Sequence, residues 1–125
     1  MHIAQKRKES RDMTSEINNV TLTGTVVGEA SLLERATTVP VLSFALEQAR
    51  GRNSDVTHRF RCVAFGPLAL SARDVVAEGS RVLVVGELNE VRARDFERRG
   101  RPGSSRLGGA MEVKATSIRA LGDQT

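Results

Sequence analysis

The stretch RFRCVAFGPLALSARDVVAEGSRVLVVGEL, residues 59–88, contains a strand, a short helix and a second strand in direct succession. Its first strand alternates, which puts Phe60, Cys62 and Ala64 on one face, the predicted core face. The opposite, outward face holds the remaining side chains, those of Arg59, Arg61, Val63 and Phe65. A strand that faces only water has no use for a phenylalanine, so the outward face is predicted to be a binding strip.

The middle of this stretch has a helical period. Its apolar side chains recur at helical spacing, at Leu68, Ala72, Val75 and Val76. Pro67 suits the first position of a helix, and Gly79 suits its C-terminal end. One short helix is therefore predicted between two strands.

Further alternating segments flank the stretch and complete a five-stranded pattern. Strands are predicted at about Asn19 to Gly28, Val39 to Gln48, Val56 to Phe65, Ser80 to Val91 and Ala110 to Leu121. Gly24 indicates a bulge or bend in the first strand, and Leu32 and Leu33 are assigned to the following connection. The order β-β-β-α-β-β predicts a closed or nearly closed barrel with the helix at one end, because closure removes exposed strand edges.

Composition narrows the class of protein. The chain has 125 residues, enough for one domain, and its aromatic content is only 3%, with neither Trp nor Tyr. The net charge is +4 and the pI about 10.2. This basic balance favours a polyanionic partner such as nucleic acid or an anionic membrane surface.

Several function classes are not supported by the sequence. No GxSxG, HExxH, GxGxxG or Walker pattern is present, so the protein is predicted not to be an enzyme. The single cysteine, Cys62, and two histidines predict no disulfide, no metal site and no cofactor. No apolar run is long enough to span a bilayer, and the N-terminus has no secretory signal, so a cytoplasmic protein is expected.

The turn between the fourth and fifth strands holds the densest charge. Its cations are Arg92, Arg94, Arg98, Arg99, Arg101 and Arg106, interrupted by Asp95, Phe96 and Glu97. Arginine contacts phosphates and stacks on bases, so this turn and the shorter one with Arg50 and Arg52 fit single-stranded nucleic acid. The same composition fits a solvated hairpin tip with Phe96 folded onto the sheet, and charge alone does not separate the two.

Five segments together resemble the bacterial single-stranded DNA-binding protein family, which includes primosomal replication proteins. They are NNVTLTGTV, VPVLSFAL, RCVAFGPLA, AEGSRVLVVGEL and MEVKATSIRALG. The resemblance covers residues 17–122, between a predicted disordered arm, 1–16, and a short end, 123–125. It implies an all-β OB-fold, a Greek-key barrel with one helix between strands 3 and 4. It also implies sequence-independent binding of single-stranded DNA in replication, recombination or repair.

The resemblance also implies site residues and assembly. Bases are expected to stack on Phe65, with Arg61 on the same face. Tryptophans of other members align with Arg52, Arg59 and Ala93, so phosphate contacts are expected to replace part of the stacking. The predicted binding residues are Arg50, Arg52, Arg59, Arg61, Phe65, Arg92, Arg94, Phe96, Arg98, Arg99 and Arg101. A homotetramer or homodimer is expected, located in the cytoplasm with the nucleoid.

Two alternatives stay open. The chain ends without the acidic, phenylalanine-containing tail of the replicative members, which favours a short paralogue or a primosome-type protein. Together with the replaced tryptophans, this fits an accessory or adaptor subunit of a replication or primosome complex with weak nucleic-acid binding. RNA binding by the same face is the second alternative, because the sequence gives no view of 2′-hydroxyl contacts.

Overall fold

The computed structural model describes residues 16–35, 38–49, 56–91 and 110–122. Its strands are β1 (Val20–Arg35), β2 (Thr38–Ala49), β3 (Thr57–Phe65), β4 (Arg81–Val91) and β5 (Ala110–Ala120). The helix α1 (Pro67–Ala72) lies between β3 and β4. The predicted order β-β-β-α-β-β is confirmed. The predicted arm before residue 16 and the end after residue 122 lie outside the described residues.

The strands close into a barrel in the order β1-β2-β3-β5-β4, and β1 pairs with β4 to complete the ring. All neighbouring pairs are antiparallel except β3 and β5, which run parallel with Cys62 opposite Val113. β1 pairs with β4 along its first half and with β2 along its second half. Thr25 lies at the change of partner and pairs with both Glu47 of β2 and Arg81 of β4. This topology is the expected OB-fold.

The barrel interior is narrow and filled mainly by aliphatic side chains. The alternating residues Leu42, Phe44 and Leu46 of β2 point into the barrel, because all three are buried. Among the described residues, Phe44 is the one aromatic ring in the buried core. The helix adds Ala69 and Ala72 to the same cluster. Each buried Leu, Val or Phe side chain contributes about 1.5–3 kcal/mol, so many small contributions replace a few large rings.

β1 is longer than predicted. It continues to Arg35, so Leu32 and Leu33 lie in the strand and not in a connection. The register against β2 shifts between Val27 and Ser31, and Gly28 lies within that shift with φ of 74°. Glycine adopts this left-handed backbone conformation without steric cost, which lets the strand bend and continue.

The pairing of β1 has no bulge at Gly24, which was one of the two predicted reasons for this glycine. Gly24 pairs regularly with Val82 of β4. A Cβ at this position would lie 2.9 Å from the carbonyl oxygen of Glu47 in β2. The absence of a side chain therefore allows close approach of two strand backbones, which is the other common reason for a glycine inside a strand.

The helix is shorter than predicted, because it ends at Ala72 and not near Gly79. Of the four side chains at helical spacing, Ala72 and Val76 are buried in the core, and Leu68 and Val75 pack against it partly buried. The chain leaves the helix to join β1: the Gly79 amide donates to the Val26 carbonyl at 2.8 Å, and the Val26 amide donates to the Ser80 carbonyl at 2.9 Å. These bonds align the start of β4 for closure of the barrel.

Candidate functional site

The outer face of β1, β2 and β3 is arranged in cross-strand rows of side chains. One row, here named the ionic row, consists of Thr25, Glu47 and Arg59. The next consists of Val27, Ala45 and Arg61. Farther along β3, the apolar row consists of Leu33, Val41 and Phe65, which are all half-buried. The face is therefore charged at one end and apolar at the other.

Arg59 is exposed but not isolated. Its Nη2 atom lies 3.1 Å from Oε2 of Glu47, and the Arg59 side chain is 67% exposed. An exposed ion pair of this kind is worth about 0–1 kcal/mol, so a phosphate group can replace the carboxylate at little cost. Sequence reasoning missed Glu47, which becomes a neighbour of Arg59 only through the β2–β3 register.

The predicted binding strip along β3 is interrupted at Val63. Val63 was predicted to lie on the outward face, and it does, but it is completely buried. Its cross-strand neighbours are Ser43, which is also buried, and Lys114 of β5. Alternation predicts the face of a side chain and not what covers it. The exposed arginines and Phe65 are thus separate parts of the face.

Lys114 is the second residue that sequence reasoning missed. Its Nζ atom lies 5.6 Å from the centroid of the Phe65 ring, a cation–π contact. Lys114 is exposed and lies beside Val63, because β5 pairs with β3 in parallel. Alternation around Val113 and Ala115 would have assigned Lys114 to the outer face, but only the parallel pairing brings it to Phe65.

Cys62 faces the core and is chemically protected. Burial raises the pKa of the Cys62 thiol from 9.0 to about 12, and the negative charge of nearby Glu112 adds to the rise. Glu112 is itself only 2% exposed, on β5 next to the Val113 that pairs with Cys62. Since the thiolate is the reactive form, Cys62 is not an activated nucleophile at neutral pH.

The raised pKa of Cys62 predicts a loss of stability in alkali. Below pH 9 the Cys62 thiol is protonated in both the folded and the unfolded protein. Its full contribution to the free energy of unfolding is then present. Above pH 9 the unfolded thiol ionises first, so stability falls towards pH 12 by at most about 1.4 kcal/mol per pH unit. Urea unfolding at about pH 8 and pH 10.5 should show a loss of about 2 kcal/mol that Cys62→Ala lacks. An equal loss in both proteins would contradict the assignment.

Most of the predicted binding residues belong to the two turns predicted from the sequence. Arg50, Arg52, Arg92, Arg94, Phe96, Arg98, Arg99 and Arg101 lie outside the described residues. Only the strand ends that lead into the turns are placed, by the pairs Ala49–Thr57 and Val91–Ala110. Ala110 lines the same cavity, of about 510 Å³, as Arg59 and Arg61. The start of β5 therefore lies beside the two predicted arginines of β3.

The sequence shows where the positive charge is concentrated. The described residues contain seven Lys or Arg and nine Asp or Glu, a formal charge of −2, although the whole chain carries +4. Residues 92–109 contain six arginines and two acidic residues, a formal charge of +4. The net positive charge of the chain therefore lies in residues outside the described ranges, and residues 92–109 hold the largest share of it.

The described residues form neither a metal site nor a membrane-spanning helix. Within the described ranges, no group of three His, Cys, Asp or Glu side chains is arranged to hold a metal ion. The helix that the structure describes, Pro67–Ala72, does not have the length to cross a membrane, and no other described segment forms a membrane-spanning helix.

Comparison with known proteins identifies the family. Residues 17–105, more than half of the chain, match the model of the single-strand binding protein family. A similar solved structure is the SSB domain of a protein from Synechococcus sp., with a TM-score of 0.60 and 18% identity, covering 85% of this chain and 98% of that one. At this identity, the structural likeness supports the fold alone. No curated protein matches the sequence. By the family match, the chain belongs to the single-strand binding protein family.

Proposed function

We propose that this protein binds single-stranded DNA without sequence preference and performs no catalysis. The observation that carries the proposal is the outer face of the barrel, where β3 presents two exposed arginines and a half-buried aromatic ring. Family membership supports the same substrate. The DNA would cross this face between two predicted turns. One contains Arg50 and Arg52, and the other contains the arginines between residues 92 and 101. Its role would be in replication, recombination or repair.

The proposed binding is dominated by phosphate contacts. Each phosphate that the protein neutralises on a single strand makes the slope of log K against log salt more negative by about 0.7. Anisotropy titration of a labelled oligo-dT at several salt concentrations tests this directly. Strong binding at low salt with a steep slope is expected. An absence of binding at low salt, or a flat salt response, would contradict the proposal.

Phe65→Ala is expected to weaken binding without changing its salt dependence. Base–aromatic stacking contributes about 1–3 kcal/mol per base, which corresponds to about 5- to 150-fold in affinity. Because the ring carries no charge, the salt slope should stay the same. Leu70→Ala is the matched control, since Leu70 is an exposed apolar residue, 42% accessible, on the helix and not on a strand of this face. Equal effects of the two substitutions would remove Phe65 from the site.

The alternative function is an accessory or adaptor subunit that binds nucleic acid weakly. It is favoured by arginine or alanine at three positions where other members of the family carry tryptophan. Affinity capture from a nuclease-treated lysate distinguishes the two functions, since partners of an adaptor persist without nucleic acid. Light scattering on the same preparation tests the proposed homotetramer or homodimer. Competition between DNA and RNA oligonucleotides of equal length tests the choice of nucleic acid.

A further inference from the structure

The apolar row gives the outer face an apolar surface that is wider than the Phe65 ring alone. Leu33 and Phe65 are the cross-strand neighbours of Val41 on either side, so three apolar side chains lie next to one another across three strands. All three are half-buried, which leaves part of each accessible to a ligand. The ionic row lies at the other end, about 20 Å away for six residues of strand.

Lys114 lies over this apolar surface. Its Nζ atom is 5.6 Å from the centre of the Phe65 ring, so the ammonium occupies space that a stacked base would need. The lysine is exposed, and an exposed cation–π contact is weak enough for a planar ligand to displace it. The displaced ammonium remains on a long flexible side chain beside the ring, within reach of a group attached to that ligand.

A nucleotide supplies both of the groups that this arrangement can accept. Its base has the flat, weakly polar face that stacks on an aromatic ring, and its phosphate has the charge that an ammonium binds. A simple polyanion offers only the second group, and an apolar ligand only the first. The combination of an apolar row and a single displaceable cation therefore fits a nucleotide unit of a single strand.

We propose that Leu33, Val41, Phe65 and Lys114 form a one-nucleotide site in which Lys114 covers the ring in the free protein. On binding, a base replaces the ammonium on Phe65, and Lys114 moves to the adjoining phosphate. This proposal rests on the proposed function, because it assigns a base contact to one end of the same face. It differs from the proposed function in its source of positive charge, because the cation of this site, Lys114, is on β5 and not on a turn.

The chain allows the displacement to be observed directly, since its only lysines are Lys6, Lys8 and Lys114. Reductive methylation with ¹³C-formaldehyde labels these three amines and the N-terminus while keeping their charge. In the free protein the Lys114 methyl signal should be shifted by the ring current of Phe65, and Phe65→Leu should abolish that shift. Lys114→Arg assigns the signal by removing it.

Two oligonucleotides of equal length separate base from phosphate. Saturating oligo-dT should return the Lys114 signal to its unshifted position, whereas an abasic oligonucleotide should leave it shifted. A signal that stays shifted with oligo-dT, or moves equally with both, would overturn the displacement by a base. If the free protein shows no shifted Lys114 signal, Lys114 does not cover the Phe65 ring in solution.

Affinity measurements complete the test. Leu33→Ser should weaken oligo-dT binding about three- to tenfold and change binding of the abasic oligonucleotide less than twofold. Leu70→Ser, at an exposed apolar position on the helix, is the matched control. If oligo-dT binds tightly but Leu33→Ser and the lysine signal do not respond, the one-nucleotide site is wrong and the proposed function stands. If neither oligonucleotide binds at low salt, both are wrong.

Discussion

Gly86→Ala is expected to prevent the barrel from forming or to destabilise it by at least about 3 kcal/mol, beyond the usual cost of overpacking. An added Cβ would overlap the carbonyl group of Lys114 and lie 2.9 Å from Cα of Ala115. These are backbone atoms of the paired strand, so no side-chain rotation relieves the overlap. β4 and β5 would have to separate at the place where they are most closely joined.

The local geometry explains this requirement. The β4–β5 register shifts at this point, because Val85 pairs with Ser117 while Gly86 pairs with Ala115. Thr116 is the extra residue, and its hydroxyl donates to the Val85 carbonyl at 3.1 Å. The bulge brings β5 closer to β4 than regular pairing would, and Gly86 accommodates it by having no side chain.

Urea unfolding followed by circular dichroism measures the effect. Gly28→Ala is the matched control, since a Cβ there meets no atom within 4 Å and only the φ of 74° is unfavourable. That conformation costs about 1–2 kcal/mol for alanine. If Gly86→Ala were no less stable than Gly28→Ala, the close approach of β4 and β5 would be incorrect.

Arg98→Ala combined with Arg99→Ala is expected to have the largest effect on DNA affinity. If each arginine contacts one phosphate, the negative salt slope should become less steep by about 1.4. With an unchanged affinity at 1 M salt, that change corresponds to about 60-fold weaker binding at 0.05 M salt. The effect should be similar for oligo-dT and for an abasic oligonucleotide, because phosphates carry no base information.

The control must remove the same charge from elsewhere on the protein. Arg73 and Arg119 are both exposed and lie outside the outer face of β2 and β3. Arg73→Ala combined with Arg119→Ala therefore lowers the net charge by the same two units. A salt slope that changes equally in both double variants would mean that overall charge governs binding and that the turn has no special role.

The sequence was sufficient where local alternation alone defines a strand. The limits of β2 were predicted within one residue because Leu42, Phe44 and Leu46 alternate without interruption. β1 was predicted too short because the sequence GEAS at residues 28–31 has the composition of a turn. Its place in the strand depends on pairing with β2, which is not local information.

The candidate site shows the same division. The face occupied by Arg59, Arg61 and Phe65 followed from alternation in β3, and the role of Phe65 followed from the family resemblance. The neighbours Glu47 and Lys114 depend on the register of other strands, so the sequence did not reveal them. Burial of Val63 was missed for a similar reason, since it depends on what packs over the face.

The parallel contact between β3 and β5 has a consequence for synthesis of the chain. β3 is the third strand to be made, but the strand that pairs with its second edge is the last of the barrel. Until β5 leaves the ribosome, this edge offers unpaired amide and carbonyl groups to any other extended chain. The growing polypeptide therefore carries an open strand edge from the synthesis of Phe65 until that of Ala120, and rapid completion of its last strand shortens its exposure to aggregation.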